Sequence, residues 1–282
     1  MSDIIILCDG GLGNRLGSLV GGLVIASKLN LNPVICWPCN SWCNCNYEDL
    51  FNIKYNVITD NINDLFLKNK DNIFLIHENQ TNLDLKMIPI IEENIIMLKN
   101  TQTNIIYYNN SIPKFIPIYE SIKVLDSIKI NNYILNEVKN FCLYNNINSD
   151  TIGIHIRRTD ANVGIPNNQL SNFISSDKRY FVCSDDKETE DYFNKMNNVY
   201  VYSKTSYVQK AIDGSWNSMY TDNEGRCMPF NVFRSKQSII EGFIDMLILS
   251  RSTPLITSNS SFLHFSLIYR NIDIYDTNNI NT

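Results

Sequence analysis

Ile4-Ile5-Ile6-Leu7-Cys8-Asp9-Gly10-Gly11-Leu12-Gly13-Asn14-Arg15-Leu16 is the stretch that decides the class of fold. Its apolar opening, Ile4 to Cys8, is a short run of buried-strand type, and the turn cluster Asp9 to Asn14 ends it. A helix is predicted from Arg15 to Leu29, with apolar positions on most of its sides, and Pro33-Val34-Ile35-Cys36-Trp37 reads as the next strand. Strand, helix and strand in that order predict a parallel sheet with helices on both faces.

The pattern returns in the second half. Ile152-Gly153-Ile154-His155-Ile156 and Tyr180-Phe181-Val182-Cys183 are predicted strands, with a helix from Lys187 to Met196 and a further strand at Val199-Tyr200-Val201-Tyr202. Residues 204–235 lack a period and contain Gly214, Gly225 and Pro229, so they read as a long loop, a feature that in a compact domain is usually functional. A helix from Lys236 to Arg251, a strand at Leu255-Ile256-Thr257, a helix from Ser261 to Arg270 and a last strand at Ile272-Asp273-Ile274-Tyr275 complete the reading. Between them, residues 50–130 carry weak periodicity, and Ile73-Phe74-Leu75-Ile76-His77 is the run there that reads as a strand. The expected architecture is α/β, with two Rossmann-like parallel-sheet halves, residues 1–148 and 149–282.

Composition narrows the function. The chain has 282 residues, 44% hydrophobic and 19% charged, which suits a sizeable core and excludes wholesale disorder. A net charge of −5 leaves no global positive field for nucleic acid or an anionic membrane, so an anionic ligand needs a local basic cluster. No run approaches the roughly 20 apolar residues of a membrane span. Met1 to Gly11 lacks the basic region and longer apolar core of a secretory signal, so a cytoplasmic chain with reduced cysteines is expected.

Six of the eleven glycines fall between Gly10 and Gly22. They either permit tight packing of strand on helix or form a loop facing a ligand at a helix N-terminus. A dinucleotide fingerprint is disfavoured because no acidic residue lies between Asp9 and Glu48 to hold a ribose, and a P-loop because Gly17-Ser18 lacks the lysine. Cys36, Cys39, Cys43 and Cys45 are spaced C-x2-C-x3-C-x-C, unlike the separated pairs of structural zinc, so loop thiols and no metal are expected. His77 and His264 sit in apolar runs and read as packing residues.

The most informative stretch for chemistry is His155-Ile156-Arg157-Arg158-Thr159-Asp160. Adjacent arginines directly after an apolar strand put fixed cations at the carboxyl end of a parallel sheet, where open α/β folds bind ligands. Guanidinium suits a diphosphate because it offers planar paired donors and stays charged. Alternation along an extended chain lets one of the two reach a ligand. Asp185 and Asp186, at a strand end, are either helix caps or ligand contacts, and Asp245 lies mid-helix among Phe243, Ile244, Met246 and Leu247.

Ile152 to Asp160 resembles the first conserved motif of the fucosyltransferase superfamily that includes α1,6-, α1,2- and protein O-fucosyltransferases. Gly10-Gly11-Leu12-Gly13-Asn14-Arg15-Leu16 is similar to its N-terminal glycine loop, and Phe181-Val182-Cys183-Ser184-Asp185-Asp186 to its strand ending in Ser/Thr-Asp-Asp. Phe243-Ile244-Asp245 through Leu249-Ser250 to Ser258-Asn259-Ser260-Ser261-Phe262 is similar to its third motif. Residues 50–140 resemble nothing in it. The resemblance implies a GT-B fold, an inverting glycosyltransferase that takes fucose from GDP-fucose to a glycan or related hydroxyl acceptor, and no bound metal or other cofactor.

Carried over by position, it puts Arg157 on the diphosphate, His155 and Asp245 near the guanosine, and Ser260 and Ser261 at the phosphate side. Arg158, Asp185 and Asp186 join the donor-binding set, and Gly11, Gly13, Asn14 and Arg15 form the N-terminal loop. Ala161 to Pro166 lacks the lysine and glutamate that follow in the α1,6 enzymes, which leaves Asp160 and Asp9 as candidate bases. Trp37 and Trp42 are either core or a stacking surface for an acceptor sugar. Two other readings remain: a nucleotide-sugar or glycan-binding module of the same fold without catalysis, and a dinucleotide-dependent oxidoreductase.

Overall fold

A computed structural model describes residues 2–69, 71–76, 87–99, 102–159, 165–222, 225–255 and 260–274. The chain divides into two compact units, Met1–Cys39 with Asn46–Ile130 and Asn40–Cys45 with Asn131–Thr282.

The first unit runs β1 (Asp3–Leu7), α1 (Leu12–Leu29), β2 (Asn32–Cys36), α2 (Tyr47–Leu50), β3 (Asn56–Ile58), α3 (Ile62–Lys68), β4 (Ile73–Ile76), β5 (Met87–Pro89), α4 (Glu92–Met97), β6 (Ile105–Tyr108) and α5 (Ile118–Ser127). Its strands form one parallel sheet in the order β3-β2-β1-β6-β4-β5. Leu7, Cys36, Phe74, Ile76 and Ile106 pack with Leu65 of α3 into an apolar cluster on the sheet. Helix α1 begins at Leu12, earlier than the expected Arg15, and is buried along most of its length. It lies close enough to the loop after β6 that a Cβ on Gly17 would stand 2.8 Å from Ser111 Cα. That spacing admits only glycine without a shift of backbone.

The second unit runs α6 (Asn132–Tyr144), β7 (Ile152–Ile156), α7 (Asn167–Leu170), β8 (Tyr180–Ser184), α8 (Lys187–Phe193), β9 (Val199–Tyr200), β10 (Tyr220–Thr221), β11 (Cys227–Met228), α9 (Lys236–Arg251), β12 (Thr253–Leu255) and α10 (Ser261–Tyr269). Four parallel strands lie in the order β12-β7-β8-β9. Ile154, Ile156, Val182, Phe193 and Val199 make its apolar cluster. Helix α6 packs on α9 and counts with this unit. Polar caps start α6, α8, α9 and α10: Asn131 accepts from Tyr133 N at 3.0 Å, Asp186 from Thr189 N at 2.8 Å, Ser235 from Ser238 N at 3.1 Å and Ser260 from Leu263 N at 3.1 Å.

Two expectations are corrected. Residues 204–235 are not loop throughout, since β10 and β11 pair antiparallel within them. Buried Asn231 pins this segment, its amide donating to Ile212 O at 2.7 Å and Ser215 O at 3.2 Å while its oxygen accepts from Ile212 N at 2.8 Å. Residues 40–45 dock there too, with Arg234 N on Ser41 O at 2.8 Å and Tyr220 Oη on Ser41 Oγ at 2.8 Å. The last expected strand is a turn over Ile272 to Ile274, because Arg251 holds Tyr269 O and Ile272 O at 2.8 and 3.1 Å and folds the chain back after α10. Tyr275 lies outside the described residues.

Candidate active site

In the second unit the chain moves outward from β7 through β8 to β9, then returns to the other side of β7 as β12. The carboxyl ends of β7 and β12 therefore flank a switch in strand order, the place where open parallel sheets leave a crevice. His155 is the penultimate residue of β7, Arg157 follows the strand directly and is partly exposed, and the residues after β12 lead to α10. Phe262, in the first turn of α10, stacks on the His155 imidazole with centroids 4.3 Å apart and planes 15° apart. Ser261, partly exposed, opens α10 beside it. Strand end and helix start thus meet, and the N–H groups of the helix start favour an anion. Burial, helped by the charges of Arg157 and Lys204, pushes the His155 imidazole down to about 3, so it is neutral at physiological pH.

The residues around Arg157 are framework. Asp185 accepts from Arg158 N at 2.6 Å and from Thr159 Oγ1 at 2.5 Å, which fixes the turn that carries the two arginines. Arg158 turns its guanidinium to Ile165 O at 2.8 Å and Asn167 Oδ1 at 2.6 Å. Asp186 is the cap of α8. Arg158 thus braces Ile165 and Asn167, and Arg157, partly exposed, follows the carboxyl end of β7.

Asp245 is 2% exposed, a buried carboxylate rather than a surface one. Its Oδ2 pairs with Lys204 Nζ at 2.7 Å, and Lys204 also holds Glu190 Oε1 at 2.7 Å and Ser184 O at 2.6 Å. Glu241, one turn earlier on α9, accepts from Thr205 N at 2.8 Å and Ser206 N at 2.9 Å and so ties the chain beyond Lys204 to the helix. Burial raises Asp245 to about 7 against the pull of Lys204, and burial likewise raises Glu190. Burial works against the charge of Lys204, but Asp245 and Glu190 more than offset it and raise its pKa. Sequence reasoning missed Lys204, Glu190, Tyr207 and Glu241. The only local signal was a lone lysine just beyond a strand.

In the first unit, Gly10 has φ +81°, which lets the chain turn sharply from β1 towards α1. Gly11 caps the helix, and Gly13 and Asn14 lie in its first turn. Arg15 is fully buried: its Nε donates to Gly10 O at 2.8 Å, and its guanidinium lies 5.0 Å from the Trp37 ring centroid and 4.0 Å from Asp9 Oδ1. It braces the glycine turn from behind. Trp37 packs edge-on against Tyr47 and Phe51 as core. Among the described residues no three His, Cys, Asp or Glu side chains gather as metal ligands. His264 is exposed, not packed within the core. Asp160, His77, Ser258 and Asn259 lie outside the described residues.

No protein-family model and no curated protein matches this sequence. Solved structures do. The fucosyltransferase NodZ from Bradyrhizobium superposes with a TM-score of 0.58 at 16% identity, over 94% of this chain and 91% of its own. FUT1 from Arabidopsis thaliana, in complex with GDP, gives 0.55 at 12% identity over 96% and 70%, and POFUT1 with GDP gives 0.50 at 11% over 96% and 95%. The chain has the GT-B-like fold of these proteins, with an α/β unit on a parallel sheet in each half.

Proposed function

We propose that this chain is an inverting glycosyltransferase that transfers fucose from GDP-fucose to a hydroxyl of a glycan acceptor, without a bound metal or other cofactor. The observation that carries the reading is the convergence of His155, Arg157, Ser261 and Phe262 at the strand-order switch of the second unit. The company it keeps supports it: NodZ is a protein crystallised with GDP and soaked with GDP-fucose. Arg157 binds the diphosphate and meets the charge that grows on it as the bond from the anomeric carbon to phosphate oxygen breaks. The N-terminus of α10 adds Ser261 and its N–H groups to the same charge, with Ser260 capping it. His155, neutral and stacked, and Asp245 serve the base, and Asp185, Asp186 and Arg158 hold the frame of the donor site.

The acceptor oxygen attacks from the face opposite GDP and gives its proton to a carboxylate, Asp160 or Asp9, which yields inversion. Residues 1–148, with Gly11, Gly13 and Asn14 at the start of α1 and Arg15 behind them, supply the acceptor side; residues 149–282 hold the donor. No helix among the described residues is long and apolar enough to cross a membrane, and none of the eight cysteines is in a disulfide. Reduced thiols support a cytoplasmic location.

Titration calorimetry with GDP in the presence of EDTA is the first test, and metal-independent binding is the expected result. Binding that appears only on adding Mg2+ or Mn2+ overturns the metal-free reading. GDP-[14C]fucose on a glycan array then reads transfer. Donor binding with no transfer to any glycan makes the chain a binding module. A dinucleotide that binds where GDP does not makes it an oxidoreductase candidate.

A further inference from the structure

The ammonium of Lys204 has three protons and three acceptors, Ser184 O at 2.6 Å with Glu190 Oε1 and Asp245 Oδ2 each at 2.7 Å, so it is saturated. Both oxygens of Glu190 have partners, its Oε1 also accepting from Ser184 N at 2.7 Å and its Oε2 from Tyr207 Oη at 2.6 Å. Asp245 differs. Its Oδ1 is buried and has no hydrogen-bond partner. A buried acceptor left open calls for a reason. Two carboxylates around one ammonium also leave the buried set one negative charge in excess, which low-dielectric surroundings resist.

We propose that Lys204 and Glu190 are positioning residues for Asp245: they hold Oδ1 open for an N–H of the nucleotide base, and the excess charge is carried by a proton on Asp245 that leaves to solvent when the base binds. The inference rests on the donor reading above. Other groups facing this carboxylate do not take its place. Cys183 of β8 is pushed up by burial and stays a thiol, and burial raises Tyr207 as well. Glu241 on the same helix accepts from Thr205 N and Ser206 N. His155 is neutral, with Arg157 and Lys204 as its nearby cations. Burial raises Asp245 to about 7, so its charge changes near neutrality.

The sign follows. The base N–H donates to the carboxylate form, so GDP affinity falls as pH drops below about 7, by about tenfold per pH unit. The β-phosphate of GDP titrates near pH 6 by analogy with other phosphate monoesters, but alike for every variant, so differences between variants are the readout. Calorimetry of the full chain with GDP, from pH 5.5 to about 8.5 in two buffers of different ionisation enthalpy, measures both affinity and protons released. Wild type is expected to release about half a proton at pH 7. Glu190→Gln removes a negative neighbour and moves the affinity midpoint to lower pH; Lys204→Met removes a positive one and moves it higher. Asp245→Asn abolishes this part of the pH dependence.

Opposite shifts from two buried substitutions cannot come from loss of structure, which weakens binding at every pH alike. Should Lys204→Met not fold, the downward shift in Glu190→Gln and the proton release by wild type still decide. Uniform weakening in the variants, or no proton release by wild type beyond that of the phosphate, overturns the inference and leaves the donor reading standing. No GDP binding at any pH overturns both.

Discussion

Arg157 is set apart from its neighbour by what the neighbour does. Arg158 is engaged with Ile165 O and Asn167 Oδ1, and its backbone N–H with Asp185, bonds that hold the turn and that a change at Arg157 leaves in place. Arg157→Lys is therefore expected to leave melting almost unchanged while kcat falls by roughly 100- to 1,000-fold, the usual cost of about 2.7–4 kcal/mol for one preorganised donor. Lysine keeps the charge but loses the planar fork. Melting and kcat on one preparation check it, and near-normal kcat removes Arg157 from the mechanism. Asp245 gives a second test at this scale. Its folded pKa, raised from 3.8 to about 7, lies above the unfolded one, so the folded chain holds the extra proton between those values and loses stability as pH rises through them. Asp245→Asn cannot ionise. It is expected to melt on the order of a few degrees higher than wild type at pH 8, with the gap closing towards pH 4.

At the scale of elements, the glycine-rich stretch divides by position. Gly11 opens α1 in extended conformation with nothing within 4 Å of a Cβ, whereas Gly17 faces the backbone of Ser111 at 2.8 Å. Gly17→Ala must move backbone and is expected to cost about 1–3 kcal/mol, while Gly11→Ala leaves the melting temperature in place. Thermal melts of the two variants side by side check this, and equal melting defeats the packing argument. The same division explains what the sequence could tell. β7, β8 and α9 were legible because each is an apolar run punctuated by turn or capping residues, and α9 runs from Lys236 to Arg251 as read. β10 and β11, two residues each, carry no period to detect. Nor did local pattern reveal that Lys204 would meet Asp245, 41 residues away, or that Ile272 to Ile274 would be held as a turn by Arg251. Such features are set by tertiary partners.

At the scale of the whole molecule, the question is whether the chain relies on anything beyond its own packing. Both units bury apolar clusters on their sheets, so neither needs a metal staple of the kind small domains use. The crowded cysteines are the one sequence feature that suggests one. Cys36 and Cys39 fall in the first unit, Cys43 and Cys45 in the second. Cys36 donates to Asp60 O at 3.3 Å and Cys39 to Asn46 Oδ1 at 3.1 Å, the roles of neutral thiols. Burial, with Asp60 adding to it, pushes Cys36 up to about 12, whereas a zinc ligand must be a thiolate. Elemental analysis of untagged protein is expected to find no stoichiometric zinc. Adding a chelator is expected to leave the melting temperature unchanged, since removing a structural zinc would cost most of a domain's stability. Zinc near one per chain, with melting lost on chelation, would mean that these thiols ionise together despite their burial, and that the fold is held by more than its two cores.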